Sequence, residues 1–258
     1  MNRIDQAFQQ KKNILNIYFT AGFPSLNDTT RIIRLLEQSG GVDMIEIGIP
    51  YSDPVADGPT IQESNQRAIK NGMTLKKLFE QLSDLRSYCA LPIILMGYIN
   101  PVMQYGIEKF LQKCTEIGID GTILPDLPFQ EFLDDYKALY QKYGIYNIFL
   151  ISPQTSEERL RKIDTASEGF IYMVSSNSIT GAKQKQTEEQ IKYFQRIANM
   201  NLRNPRLIGF GISNRTTFEN ACKYAHGAII GSAFIQLLSK HQDNLEEAIP
   251  AFIKEIRG

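Results

Sequence analysis

Short, nearly unbroken apolar runs alternate along this chain with stretches whose apolar positions recur every three or four residues. The first kind reads as strand buried on both faces, the second as helix with one buried stripe. Strands are expected at 14–20, 43–48, 92–98, 121–125, 145–151, 169–175, 206–210 and 227–231. Helical spacing runs from the candidate caps Ser25 and Asp28 through Ile32, Ile33, Leu35 and Leu36. It returns at 61–70 and 75–88, 107–117, 129–143, 157–163, 188–199, 214–223 and 233–238. A short opening helix is expected at 4–12 and a closing one at 245–256.

A strand–helix unit repeated eight times in a chain of 258 residues predicts an α/β fold. The expected form is a single (β/α)8 TIM barrel domain over 1–258, with a short N-terminal helix across one end and an extra helix after strand two. The longest strand-to-strand steps follow strands two and six. Loops after strands form the catalytic face of a barrel, so these two are expected to cover a site. A doubly wound sheet is the alternative fold. Gly209-Phe210-Gly211 hints at its dinucleotide fingerprint, but Asn214 breaks the glycine pattern and the acidic partner strand is missing.

Composition narrows the partners. With 28 basic and 28 acidic residues the net charge is zero, which argues against a nucleic acid held by bulk charge. Cys89, Cys114 and Cys222 are odd in number and form no Cys-x-x-Cys pair, so reduced thiols are expected. The start of the chain has no apolar signal region and no long apolar run follows, so a cytoplasmic protein with no membrane span is expected.

The candidate chemistry starts at 44–59. Glu46 stands inside an apolar strand, a costly place for a carboxylate that is neither paired nor used. The strand breaks at Gly48 and Pro50, and the loop beyond carries Asp53 and Asp57. Other strand ends offer Thr20, Tyr98-Ile99-Asn100, Asp126, Ser152, Tyr172 and Ser175. No lysine lies in the second half of a strand, which disfavours Schiff-base chemistry. His226 and His241 fall away from the catalytic face, so no metal cluster is expected there. Gly209-Phe210-Gly211-Ile212-Ser213 and Gly231-Ser232-Ala233 follow strands seven and eight, where barrels often bind phosphate at a helix N-terminus. Bland readings stay open for each. Glu46 could be an acid held by backbone amides, Asp57 a solvated or capping residue, the glycines tight turns, and Tyr98 and Tyr172 core aromatics.

Ile45-Glu46-Ile47-Gly48-Ile49-Pro50-Tyr51-Ser52-Asp53-Pro54-Val55-Ala56-Asp57-Gly58-Pro59-Thr60-Ile61-Gln62 resembles the signature of the tryptophan synthase alpha chain family. The resemblance extends through Phe19-Thr20-Ala21-Gly22-Phe23-Pro24, Met96-Gly97-Tyr98-Ile99-Asn100-Pro101, Pro125-Asp126-Leu127-Pro128, 209–213 and 227–233. It implies cleavage of indole-3-glycerol phosphate to indole and glyceraldehyde 3-phosphate. An indole protonated at C3 accepts the electrons of the breaking bond itself, in keeping with the missing lysine and metal.

By this resemblance Glu46 is the general acid–base and Asp57 accepts the indole N–H. Tyr172 lies near Glu46, and Tyr18, Met96, Tyr98 and Phe210 line the indole pocket. Gly181, Gly211, Gly231 and Ser232 hold the phosphate, and Thr180 meets Asp57 when a lid closes. The resemblance also implies an αββα assembly with a beta chain that carries pyridoxal phosphate, this chain needing no cofactor. Asp53, Asn100, Pro101, Asp126 and Pro128 fall at that interface. One departure is Ser176, where many relatives have arginine. Three alternatives remain: a stand-alone lyase, a non-catalytic activator of the beta chain, and an isomerase of another phosphosugar.

Overall fold

The computed structural model describes residues 1–55, 57–174, 187–209 and 211–258. Its strands are β1 (Ile14–Thr20), β2 (Met44–Gly48), β3 (Ile93–Met96), β4 (Gly121–Ile123), β5 (Tyr146–Asn147), β6 (Phe149–Ile151), β7 (Ile171–Val174), β8 (Arg206–Gly209) and β9 (Gly227–Ile230). They form one sheet in the order β5-β4-β3-β2-β1-β9-β8-β7-β6, and every pairing is parallel. Segments β5 and β6 flank Ile148 and are two halves of the single strand expected at 145–151. The order therefore runs once round a cylinder and closes through that residue, which is an eight-stranded (β/α)8 barrel. Ile148 still donates its amide to the Thr122 carbonyl at 2.8 Å.

The strands are apolar through their length because both faces are covered. Every residue of β1, β2, β8 and β9 is buried. The opening helix, Arg3–Gln10, starts where the Asn2 side chain accepts the Ile4 amide at 2.9 Å. Ile4 is completely buried and packs beside Gly121 and Gly169, so this helix plugs the N-terminal end of the barrel.

Two buried aspartates brace the same end. Asp43, just before β2, accepts the Leu15 amide at 2.9 Å and pairs with Lys11 at 2.8 Å and with Arg257 of the last helix, Leu245–Arg257. Asp120, just before β4, accepts the Ile93 amide at 2.8 Å and pairs with Arg86 at 2.7 Å and Arg3 at 3.0 Å.

Two helices follow β2, Pro59–Lys70 and Leu75–Gln81. The second is shorter than the 75–88 expected, and a separate turn at Leu85–Ser87 continues it. Strand three is also shorter than the 92–98 expected. Tyr98 is already the cap of a helix at Ile99–Tyr105 that the sequence reading lacked.

Candidate active site

The carboxyl ends of β1, β2, β3 and β7 meet at one cluster. Side chains alternate along a strand, so Asn16, Tyr18 and Thr20 share one face of β1. Tyr18 is in register with Glu46 of β2, and Glu46 with Ile94 of β3. Glu46 is 1% exposed. Asn16 Nδ2 donates to Glu46 Oε2 at 3.1 Å, while Oε1 has no hydrogen-bond partner among the described residues. Burial pushes the Glu46 carboxyl up to about 8, the Asn16 amide opposes the rise, and the nearby Asp57 charge adds to it.

Asp57 is buried although it stands on the loop after β2. Tyr98 donates its hydroxyl to this carboxylate, and Asn65 Nδ2 donates to Oδ2 at 3.2 Å. The loop is fixed further by Gln62, whose side-chain amide donates to the Asp57 carbonyl at 2.8 Å. Helix Pro59–Lys70 begins two residues later, so it supplies both amides from its inner face. Burial raises the Asp57 carboxyl, and the Tyr98 and Asn65 donors pull it back.

Aromatic walls stand over the two acids. The Tyr18 and Tyr172 hydroxyls are held well above their usual range by burial and then by the neighbouring carboxylates, so both stay neutral. Each needs a glycine beside it. A Cβ on Gly48 would lie 2.2 Å from the Tyr18 hydroxyl, and one on Gly209 would lie 2.2 Å from that of Tyr172. The Thr20 and Ser64 hydroxyls bond at 2.7 Å and tie β1 to helix Pro59–Lys70. Met96, half-buried, ends β3 on the same rim.

Across the barrel mouth, Gly231 caps the helix Ser232–Lys240 and no side chain bonds to its first amides among the described residues. Gly211 has a φ of 77°, a left-handed backbone that favours glycine, with open space where a Cβ would be. This rim offers backbone amides and a helix dipole to an anion.

The expected interface residues lie outside the cluster. Asp53, Asn100 and Pro128 are exposed and Pro101 is half-buried. Asn100 donates to the Tyr51 hydroxyl at 3.2 Å, and the Tyr51 and Tyr98 rings pack tilted at 31° with centroids 5.1 Å apart, which joins the β2 loop to helix Ile99–Tyr105. Both oxygens of Asp126 accept the Ile99 amide, at 3.0 and 3.2 Å. Thr180, Gly181 and Phe210, with Ser175 and the Ser176 departure, lie outside the described residues.

Sequence reasoning missed Asn16, Asn65 and the Thr20–Ser64 pair. The signal for Asn16 was a lone amide in an apolar strand. For Asn65 it was an amide two turns into the helix after Asp57. The cluster pairs a buried acid able to carry a proton near neutrality with a second acid positioned by neutral donors. Among the described residues no group of His, Cys, Asp or Glu could hold a metal.

The family model for "Tryptophan synthase alpha chain" matches residues 4–257. A tryptophan synthase alpha chain of Flavobacterium johnsoniae is 57% identical over 257 residues, with all of both chains covered. One from Phocaeicola vulgatus is 54% identical, again over the whole of both. Among solved structures, the alpha subunit of Legionella pneumophila superposes with a TM-score of 0.87 at 35% identity, covering 100% of this chain and 97% of that one. A chain of the Pyrococcus furiosus tryptophan synthase complex gives 0.86 at 33% identity, covering 96% and 99%.

Proposed function

This chain belongs to the tryptophan synthase alpha chain family, and from that premise we propose a role for each member of the cluster. The reaction is the family's lyase step, cleavage of indole-3-glycerol phosphate to indole and glyceraldehyde 3-phosphate. The observation that carries the assignment is Glu46, a fully enclosed carboxyl with one tethered oxygen, raised to about 8.

A protonated Glu46 delivers its proton to ring C3, which turns the indole into an electron-poor iminium. Asp57 accepts the indole N–H and offsets the positive charge that develops there. The glycerol hydroxyl next to the ring then loses its proton, with the Glu46 carboxylate as acceptor. The bond from ring C3 to the glycerol carbon breaks, its electrons return to the ring, and an aldehyde forms. One acid thus gives a proton and regains one, and no external acceptor is needed.

Tyr18, Met96, Tyr98 and Tyr172 enclose the ring. Gly211, Gly231 and Ser232 present amides to the phosphate; by resemblance Gly181 also serves the phosphate, Phe210 lines the indole pocket and Thr180 contacts Asp57. A beta chain is the partner, since a chain of the Pyrococcus furiosus tryptophan synthase complex superposes on this one. The finer assembly proposed is αββα, with Asp53, Asn100, Pro101, Asp126 and Pro128 at the contact, pyridoxal phosphate in the partner and no cofactor here. No described helix is long and apolar enough to cross a membrane, and the cytoplasm is the proposed compartment.

General acid–base groups typically supply about 10²–10⁴-fold. Glu46→Gln is therefore expected to lower indole release by at least roughly 10²-fold, with and without a beta chain, while the fold is kept. Wild-type turnover in that variant sinks the assignment. Release by the wild-type chain that rises with the beta chain supports an assembly-regulated subunit, whereas fast release unaffected by it indicates a stand-alone lyase.

A further inference from the structure

Asn16 is fully buried in β1, and burying an amide inside an apolar barrel is costly unless it is used. One of its N–H groups goes to Glu46 Oε2 at 3.1 Å. Its own Oδ1 has no hydrogen-bond partner among the described residues. An apolar side chain of similar size would fill the space without that unpaired acceptor. The amide therefore does something for Glu46 that packing alone does not explain.

The two oxygens of Glu46 are unlike. Oε2 is tied down to β1, one layer below the cluster, and Oε1 has no partner among the described residues. We propose that Asn16 is a positioning residue for the cleavage reaction: its amide pins Glu46 Oε2 and so makes Oε1 the oxygen that exchanges the proton with the substrate. The proposal rests on Glu46 being the acid–base group. Without the tether, the carboxyl turns about its terminal torsion, a soft and roughly two-fold one, and the reactive oxygen loses its fixed address.

The tether also carries a sign. A donor to a carboxylate favours the ionised form. Among the described residues, the titratable groups facing Glu46 are Tyr18 from β1, Tyr172 from β7 and Asp57 from the loop after β2. The tyrosines are neutral and the Asp57 charge opposes ionisation. Strand β3 brings apolar Ile94 to the register position beside Glu46. Removing the Asn16 donor therefore moves the Glu46 titration upward.

The test uses the full chain as wild type, Asn16→Leu, Asn16→Ala and Glu46→Gln. Asn16→Leu deletes the donor and keeps the branched outline of the side chain, and Asn16→Ala, which also lacks a donor, serves if the bulkier leucine does not fold. Two readouts are taken. One is the pH profile of kcat/KM for indole release. The other is the midpoint of the carboxylic acid infrared band that Glu46→Gln abolishes, which needs no activity. The expected result is an upward shift of both by about one pH unit. A fall in kcat of roughly tenfold should accompany it, with KM changed by less than about twofold. Unmoved midpoints in a folded Asn16 variant overturn the proposal, whatever happens to the rate. Wild-type turnover in Glu46→Gln overturns instead the reading beneath it, and the band midpoint still reports on the tether.

Discussion

At the scale of the residue, Glu46 is placed against the interests of stability. Its carboxyl belongs near 4.5 when exposed and is raised to about 8 in the fold, chiefly by burial. Between those values the folded protein holds a proton that the unfolded chain has released. The contribution of this group to stability is intact below about 4.5 and is lost as pH rises through about 8. Glu46→Gln removes that loss. The variant should match the wild type in thermal unfolding near pH 5 and become the more stable of the two by pH 8.5, by an amount on the order of a few kcal/mol. A melting difference that stays flat across that range would show that the site is wetter than its burial implies. Activity and stability pull opposite ways here, as they commonly do where a site stores an unfavourable charge. The sequence made Glu46 legible because an acid in an apolar strand is rare. It did not make Asn16 legible, since its purpose appears only when β1 and β2 lie side by side and the amide reaches the carboxylate.

At the scale of the element, what could be read depended on whether the signal was local. The β2 strand and its Pro-rich loop announce themselves, because Gly48, Pro50 and Pro54 end the apolar run within a few residues. Helix Ile99–Tyr105 does not. Pro101 lies in its first turn, where a missing amide costs nothing, yet in sequence Asn100-Pro101 looks like the close of a strand. The carboxylate that accepts the first amide of this helix comes from Asp126, in the loop after β4, and no local pattern shows it. Asp126→Ala should cost about 1 kcal/mol and loosen Ile99–Tyr105 first, which amide exchange of that helix would report. Exchange unchanged there would mean that the Tyr51–Tyr98 ring contact, rather than the Asp126 carboxylate, holds the helix. The break at Ile148 was equally hidden, because an apolar run looks the same whether its ladder is continuous or interrupted.

At the scale of the whole molecule, the barrel has a braced end and a working end. Asp43 and Asp120 close the first with arginines and a lysine, whereas Glu46 and Asp57 face neutral donors at the second. Arg257 joins the last helix to the Gly41 and Asn13 carbonyls, at 2.7 and 2.8 Å, and to Asp43. Arg257→Ala should destabilise the protein by roughly 2–3 kcal/mol, because Asp43 keeps its burial and loses a partner. Indole release per folded molecule should not change, and a lower rate at full folding would show that the two ends are coupled. This separation has an evolutionary consequence. Mutations that drift through one rim are judged by selection for survival of the fold, those on the other for turnover, and few must satisfy both. A lineage built this way can exchange most of its letters and keep its shape, as the Legionella pneumophila subunit has at 35% identity and a TM-score of 0.87.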